Sequence, residues 1–559
     1  MPQGGLTRRT LLSTATMVAL LPAELRGGSR SERQVDLFEP AEGTVTPEMF
    51  GARGDGVTND SAAMWALRNA VQARGGGVVH FRPGATYIVG QQNTVGVDNV
   101  AHAAATGGAS VGSYYLKPHP LLNFLDLPGT LVIRGNGAKL KCAAGLKAGT
   151  FNPANGTAYT GRAPAGSTYL AWIASPYLAM VSAIGCAAVD ISGLELDGNV
   201  KNTTMGGGYD AGGFQVGSIG LLTRNNKSET IENVYSHHHA VDGFVIAGPG
   251  DAGATSEGLL GSLGTYRNLR GENNGRQGLS LVGGTGLSFE SCHFGKTGVD
   301  LGATFGKRWG ATYTAPGAGL DIEPEVSKVR RVTFQSCSFY QSIGGSMVAD
   351  QGDARDVLFD LCLFEGSLSW SAWPNKPGFK FKKCTFVGPQ VNFYYDASNP
   401  LLSPEYEDCL LTNDVKKSST GTIYASPGPV LLAGSNKGMR FRGCTFEHTQ
   451  AEDSINGSIV HEMSLESCTF VTKVGKLAVS GRYSGRTRFV EIGTGTFLGA
   501  PGYDLAGGPT LIPGGYARSF GFAEDPWEYR NAAGVTTVFP ATIDALGNVS
   551  GKGSRTAGP

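Results

Sequence analysis

The sequence predicts an all-β protein: a single-stranded parallel β-helix, a solenoid, behind a short N-terminal helix cap. Two observations carry this. Glycine makes up 84 of 559 residues, about twice the ~7% of an average protein. Charged residues are only 16%, and the Val, Ile, Phe and Thr content suits a long β protein with many tight turns. The second observation is a repeat. An aromatic-x-x-Cys-x-aromatic segment recurs, with small variations, around Cys292, Cys337, Cys362, Cys384, Cys409, Cys444 and Cys468. The spacings are 45, 25, 22, 25, 35 and 24. The mode is one coil of a β-helix, and the longer intervals are coils with insertions.

Composition also narrows function. Lys plus Arg and Asp plus Glu are 46 each, for a net charge of zero, so nothing draws the chain to nucleic acid or an anionic membrane. Hydrophobic residues at 41% exclude disorder for the bulk of it.

In chain order, residues 1–34 read as an address. Thr7-Arg8-Arg9-Thr10-Leu11-Leu12 precedes an apolar run from Leu11 to Leu21 that is too short to span a bilayer. It resembles a twin-arginine-type signal, which implies a periplasmic or extracellular protein. Residues 35–130 are a cap and loop. Asp60 is placed to cap a helix from Ser61 to Ala73, with Met64, Leu67 and Val71 on one stripe. Arg74 and three glycines end it, and strands follow at Val78–Phe81 and Thr86–Val89. Residues 131–475 are the solenoid, with room for roughly 14 coils and an axis of about 65 Å at the strand spacing. The stretches 90–127 and 143–180 read as long irregular excursions. Residues 476–559 read as a β-rich terminal cap and tail.

In the repeat, Val332 and Phe334 point inward, two residues turn a corner, and Cys337 and Phe339 point inward again. Like side chains therefore stack in columns, and cysteine serves as a small apolar filler. No close cysteine pair suggests a metal, and in-register strands rarely bring Cβ atoms together for a disulfide. Buried free thiols are expected.

The run from Phe50-Gly51-Ala52-Arg53-Gly54-Asp55-Gly56 through Asp60, the helix, and Gly75 to Tyr87 resembles the opening of the pectate-lyase superfamily. The resemblance covers about 45 residues and implies a right-handed parallel β-helix that acts on carbohydrate. It places Asp55 and Asp60 as turn and cap residues. Asn273 to Gly278, followed by Gly319 to Pro324, is similar to a pattern common in bacterial members. The paired-Asp and Arg-x-Lys signatures of polygalacturonases are absent.

Aligned on their glycines, consecutive coils bring polar residues together. By alternation Ser280, Asp321 and Glu323 face outward, with Arg276 beside them and Asp242 at the start of its strand. Carboxylates at i and i+2 stand about 6.5–7 Å apart at Cα, inside the window for an acid and a base acting through water. Asp321, Glu323 and Asp242 are thus the candidate catalytic residues. Arg276, His238, His239, Asn274 and Gln277 are candidates for substrate binding, joined by Trp309 and Tyr313 on the insertion from Gly295 to Gly317. Consecutive histidines point in different directions and seldom chelate one ion, so no metal is assigned. No cofactor is expected, with Ca2+ open at Asp350-Gln-Gly-Asp353. The reading is an exported polysaccharide-degrading glycoside hydrolase, with a polysaccharide or oligosaccharide as its partner. The alternatives are a polysaccharide lyase and a non-catalytic carbohydrate-binding rod.

Overall fold

The structure is a computed structural model. It describes residues 43–92, 98–101, 111–116, 118–151, 156–158, 171–206, 218–247, 263–301, 316–324, 327–391, 393–396, 398–424, 439–449, 452–455, 464–479, 482–484 and 487–498, with short strands beyond. The twin-arginine-type segment, Trp309 and Tyr313 lie outside the described residues.

A large sheet of parallel strands winds into a β-helix, as the repeat predicts. One coil shows the plan. Asp242–Ala247, Gly264–Arg267 and Arg270–Glu272 form three sides. Each side lies parallel on its equivalent in the next coil, in Gln277–Glu290 and His293–Gly295. The sides stack into three faces, here the first, second and third. Among the described residues, the second face carries eleven rungs between 130 and 470, beginning at 130, 188, 229, 264, 284, 328, 357, 379, 405, 440 and 464. That is fewer than the roughly 14 a strict period gives, because excursions consume chain between coils. The face continues through Thr44–Val45 and Gly77–His80 before them and Arg482–Ser484 after. Nor are the excursions wholly irregular. Asp98–Ala101, Val111–Leu116, Lys147–Thr150, Ala171–Ala174 and Thr204–Met205 build a separate five-stranded sheet.

The columns hold. On the second face, successive rings of Tyr266, Phe289, Phe334, Phe359 and Phe381 stack with centroids 4.5, 4.6, 4.9 and 5.1 Å apart. A second column runs through Phe339, Phe364 and Phe386 on the third face, at 5.1 and 4.7 Å. The two columns meet edge-on, as Phe334 and Phe339 do at 5.7 Å. All nine cysteines are free and buried. They do more than fill space. Cys337, Cys362 and Cys384 sit at equivalent corners, and each thiol donates to the carbonyl of the aromatic one coil earlier: Phe289 at 3.5 Å, Phe334 at 3.3 Å and Phe359 at 3.4 Å. Burial pushes the Cys362 and Cys384 thiols up, which keeps the donor proton in place.

The cap follows its sequence signals with one difference. The helix spans Ser61–Arg74, buries Met64, Leu67 and Val71, and ends at Gly75 with φ 76°. Asp60 makes no side-chain cap. Its carboxylate instead accepts from the Arg53 and Gly54 N–H groups at 2.8 and 3.1 Å, because the glycine-rich loop folds over it and leaves it buried. Asp55 accepts from Val57 and Thr58 N–H, and these bonds hold its pKa near about 2.

Gly278 marks a tight corner. A Cβ there would stand 2.7 Å from both the Gly271 and Gly319 carbonyl oxygens. Neither backbone can retreat without shifting a rung. Gly278→Ala is therefore expected to destabilise the fold by about 1–3 kcal/mol, and Phe359→Ala by about 3–5 kcal/mol through loss of a stacked ring. Denaturant midpoints check both. An unchanged midpoint for Gly278→Ala would contradict this corner.

Candidate functional site

The polar group anticipated on the first face is real but buried. Asp242, Asn274, Gln277 and Asp321 are at most 1% exposed, and Arg276 is 6% exposed. The expectation that Asp321 and Arg276 face solvent is thus corrected. Leu320 and Ile322 point into the core, yet Asp321 between them is covered as well, and at the strand starts the corner glycines let neighbouring backbones close in. The side chains satisfy one another instead of water. Arg276 forks onto Asp242, with Nε donating to Oδ1 at 2.8 Å and a second N–H to Oδ2. Burial pushes the Asp242 pKa up while Arg276 pulls it down. Gln277 Nε2 donates to Asp321 Oδ2. Arg276 feels Asp242 first, then Asp321 and Glu323. Glu323 lies one residue past the end of its strand, half-buried.

Asn274 accepts the His239 backbone N–H at 3.0 Å. His239 is fully buried, with Nε2 donating to the Leu196 carbonyl at 3.1 Å and Nδ1 accepting from the Tyr177 hydroxyl at 2.8 Å. His238 goes elsewhere, to the third face.

There, outward side chains align in two columns. The first reads Lys139, Glu195, Tyr235, Arg270, His293 and Ser338 on successive rungs. The second reads Lys141, Asp197, His237, Glu272, Gly295 and Tyr340. Tyr235 stacks on His237 with centroids 4.2 Å apart, and the Arg270 guanidinium sits 4.5 Å over the Tyr235 ring. At Gly295 a Cβ would stand 3.0 Å from the Tyr340 ring. The bare rung lets Tyr340 lean back and donate its hydroxyl to Glu272. Burial alone would raise Glu272, but Tyr340, Lys296 and Arg270 bring its pKa below the ordinary value. Glu195 is drawn down to about 2, first by the His237 N–H and then by Lys139, whose Nζ lies 2.7 Å away. Burial pushes Tyr235 up to about 12 and His293 down.

His237 and His238 converge, contrary to the expectation for adjacent residues. His238 adopts φ 54°, which swings its ring back until the two Nδ1 atoms are 2.7 Å apart. With Asp197 they form a group whose ligand atoms lie within 4.8 Å of one another. At the anticipated calcium turn, Asp353 accepts from Arg330 at 2.5 Å.

Sequence reasoning missed Lys139, Glu195, Asp197, Tyr235, Arg270, Glu272, His293 and Tyr340. A signal existed. Aligned on the cysteine position, the next residue reads Lys, Glu, Tyr, Arg, His in the early coils and Ser, Leu, Thr, Leu, Thr, Thr later. At this position the ionisable residues are concentrated in the early rungs.

No family model matches the chain. A stretch of 152 residues is 25% identical to "Depolymerase 1, capsule KN3-specific" of Klebsiella phage KN3-1, covering 22% of this chain and 19% of that protein. The chain thus spans about a fifth of the curated relative it matches. Among solved structures, the A-module of the Azotobacter vinelandii mannuronan C-5 epimerase AlgE4 aligns at 14% identity and TM-score 0.37, over 81% of this chain and 100% of that one. The tailspike gp49 of Acinetobacter baumannii bacteriophage Fri1, a capsular polysaccharide depolymerase, aligns at 14% and 0.31, over 86% and 66%. PfbA, a surface adhesin of Streptococcus pneumoniae, aligns at 11% and 0.39, over 91% and 98%. None of these likenesses assigns a reaction. The architecture described above is the one that the resemblance to the pectate-lyase superfamily implies.

Two stability outcomes follow. Asp242→Asn leaves Arg276 buried without its counter-charge, so a loss of about 3–5 kcal/mol in denaturant unfolding is expected. Glu195 has a folded pKa below its unfolded value, so its contribution is complete above the ordinary 4.5 and fades as pH falls towards about 2. An acid-unfolding series should show Glu195→Gln losing stability at neutral pH and converging with the parent near the acid end.

Proposed function

We propose that the chain is an exported enzyme that binds a polysaccharide along its third face and cleaves it by β-elimination beside a uronate carboxylate. One observation carries this. Tyr235, Arg270 and His293 stand at one register on three successive rungs, about 4.8 Å apart. β-Elimination needs a cation on the carboxylate, a base for the proton α to it, and a donor for the departing oxygen. Arg270, 46% exposed at its side chain, offers the planar donors that fit a carboxylate. His293, kept neutral by burial and held through Nδ1 at the Ser338 hydroxyl, 2.6 Å away, is the base. Tyr235, with its pKa near about 12, retains the phenolic proton for the leaving group.

The partial match to a protein named a capsule-specific depolymerase supports a polysaccharide as substrate class. The twin-arginine-type segment supports a periplasmic or extracellular location. Such export carries folded protein, in keeping with nine free thiols. Among the described residues no helix is long and apolar enough to cross a membrane.

A glycoside hydrolase, the reaction the carboxylate spacing favours in sequence, has less support. It requires a protonated carboxyl beside an ionised one. Glu195 and Glu272 on the third face are both held below their ordinary pKa values, and Asp321 is buried against Gln277. Asp242, whose pKa burial raises, is fully buried in its pair with Arg276.

On a panel of acidic polysaccharides, the products are expected to absorb in the ultraviolet through an unsaturated uronate end. Arg270→Ala and His293→Ala should each lower turnover roughly 10²-fold or more with unchanged circular dichroism, since neither side chain lies in the core. New reducing ends without that absorbance would overturn the elimination reading and return the search to Asp321, Glu323 and Asp242. Tight binding without turnover on any polymer would favour the non-catalytic rod.

A further inference from the structure

Beside the elimination column, the second column contains a cluster that this reaction does not use. Asp197 and His237 occupy one register on adjacent rungs, and left-handed His238 closes against them. Both imidazole Nδ1 atoms face inward to the trio at 2.7 Å separation, and Asp197 Oδ1 is 3.9 Å from His237 Nδ1. The outer nitrogens each meet a carboxylate: His237 Nε2 lies 3.1 Å from Glu195 and His238 Nε2 3.6 Å from Asp300.

This arrangement is awkward for two neutral imidazoles alone. An ionised carboxylate can only accept, so Glu195 fixes the His237 proton on Nε2 and leaves a lone pair on Nδ1. His238 must then carry its proton on Nδ1. That strips its Nε2 of hydrogen in front of Asp300, and this buried atom has no hydrogen-bond partner. A cation between the two Nδ1 atoms removes the conflict. Both rings then take the Nε2–H tautomer, and each points that N–H at a carboxylate. This is the outer-shell pattern of metal-bound histidine.

We propose that Asp197, His237 and His238 bind a divalent first-row transition ion such as zinc, with Glu195 and Asp300 as outer-shell acceptors. Two imidazoles and one carboxylate are a zinc-type donor set, whereas calcium takes oxygen alone. Tetrahedral bonds of about 2.0–2.1 Å set the nitrogens about 3.3 Å apart, so the rings open by about half an ångström on binding. Side-chain exposures of 9% for His237, 13% for Asp197 and 18% for His238 leave room for water as a fourth ligand.

The test uses tag-free full-length protein stripped with a chelator, then titrated with Zn2+ or Co2+ without substrate. Metal content is read independently of turnover, so this result stands apart from the elimination reading. One ion per chain is expected after gel filtration, with the visible absorption of four-coordinate Co2+. His238→Gln and Asp197→Asn should weaken binding by about tenfold or more, and Glu195→Gln by about 10- to 100-fold. His80→Gln, in the cap, should leave it unchanged. Zinc should raise the melting temperature of the parent but not of His238→Gln. Failure of folded parent protein to take up either ion stoichiometrically would overturn the site. So would undiminished uptake by folded His238→Gln and Asp197→Asn.

Discussion

Every coil must return the chain to the same place one strand spacing further along the axis. The device that enforces this is the corner between the second and third faces. Asn268, Ser291, Ser336, Leu361, Lys383, Asp408, Gly443 and Ser467 occupy it on successive coils, all left-handed, with φ between 50 and 64°. Seven of the eight are not glycine, and such residues sit there at a cost. The next position repays it. Leu269 or a cysteine follows, and the thiol donates to the carbonyl of the preceding coil's aromatic, for example Cys409 to Phe381 at 3.4 Å and Cys468 to Phe441 at 3.6 Å. Aromatic stacking then fixes the register on either side of the corner. Backbone, thiol and ring thus impose one spacing together.

The same constraint makes chemistry. With register locked, an outward residue's neighbours are its counterparts on the coils before and after. Lys139, Glu195, Tyr235, Arg270 and His293 become a row although more than 150 positions separate the first from the last. The left-handed corner at the far end of the third face adds a second effect. At His238 it turns one ring back onto its neighbour, joining residues that a plain strand would send apart.

The ring and thiol columns were legible in the sequence because both partners of each contact are the same residue type one coil apart. Where the column needs a hydroxyl, tyrosine replaces phenylalanine: Tyr266 donates to the buried Glu229 at 2.6 Å and Tyr406 to Gln390 at 2.9 Å. The cap was legible too, apart from the carboxylate of Asp60, whose partners come from a loop that helix patterning does not see. The polar residues were harder. Asp242, Arg276 and Asp321 were rightly brought together by glycine alignment. Their exposure was misjudged, since alternation tells which side of the sheet a residue takes and not what covers it. The third-face row escaped because its members differ in type from coil to coil, so repetition does not reveal them.

Charge links the two readings of the third face. The carboxylates of the third face are already committed, Glu195 to Lys139 and His237, Glu272 to Tyr340, Arg270 and Lys296. A uronate arriving at Arg270 must compete with Glu272 for the same guanidinium. On the proposed reading, substrate binding would be a partner exchange, with Lys296 and the Tyr340 hydroxyl keeping Glu272 satisfied as Arg270 turns outward. A divalent ion at Asp197 would add positive charge one column away without occupying Arg270. It would favour the uronate carboxylate electrostatically while Tyr235 and His293 remain free for the proton transfers. On that reading, Arg270 and such an ion would face the uronate carboxylate from neighbouring columns while Tyr235 and His293 carry the proton transfers, an arrangement that a fixed outward register is suited to provide.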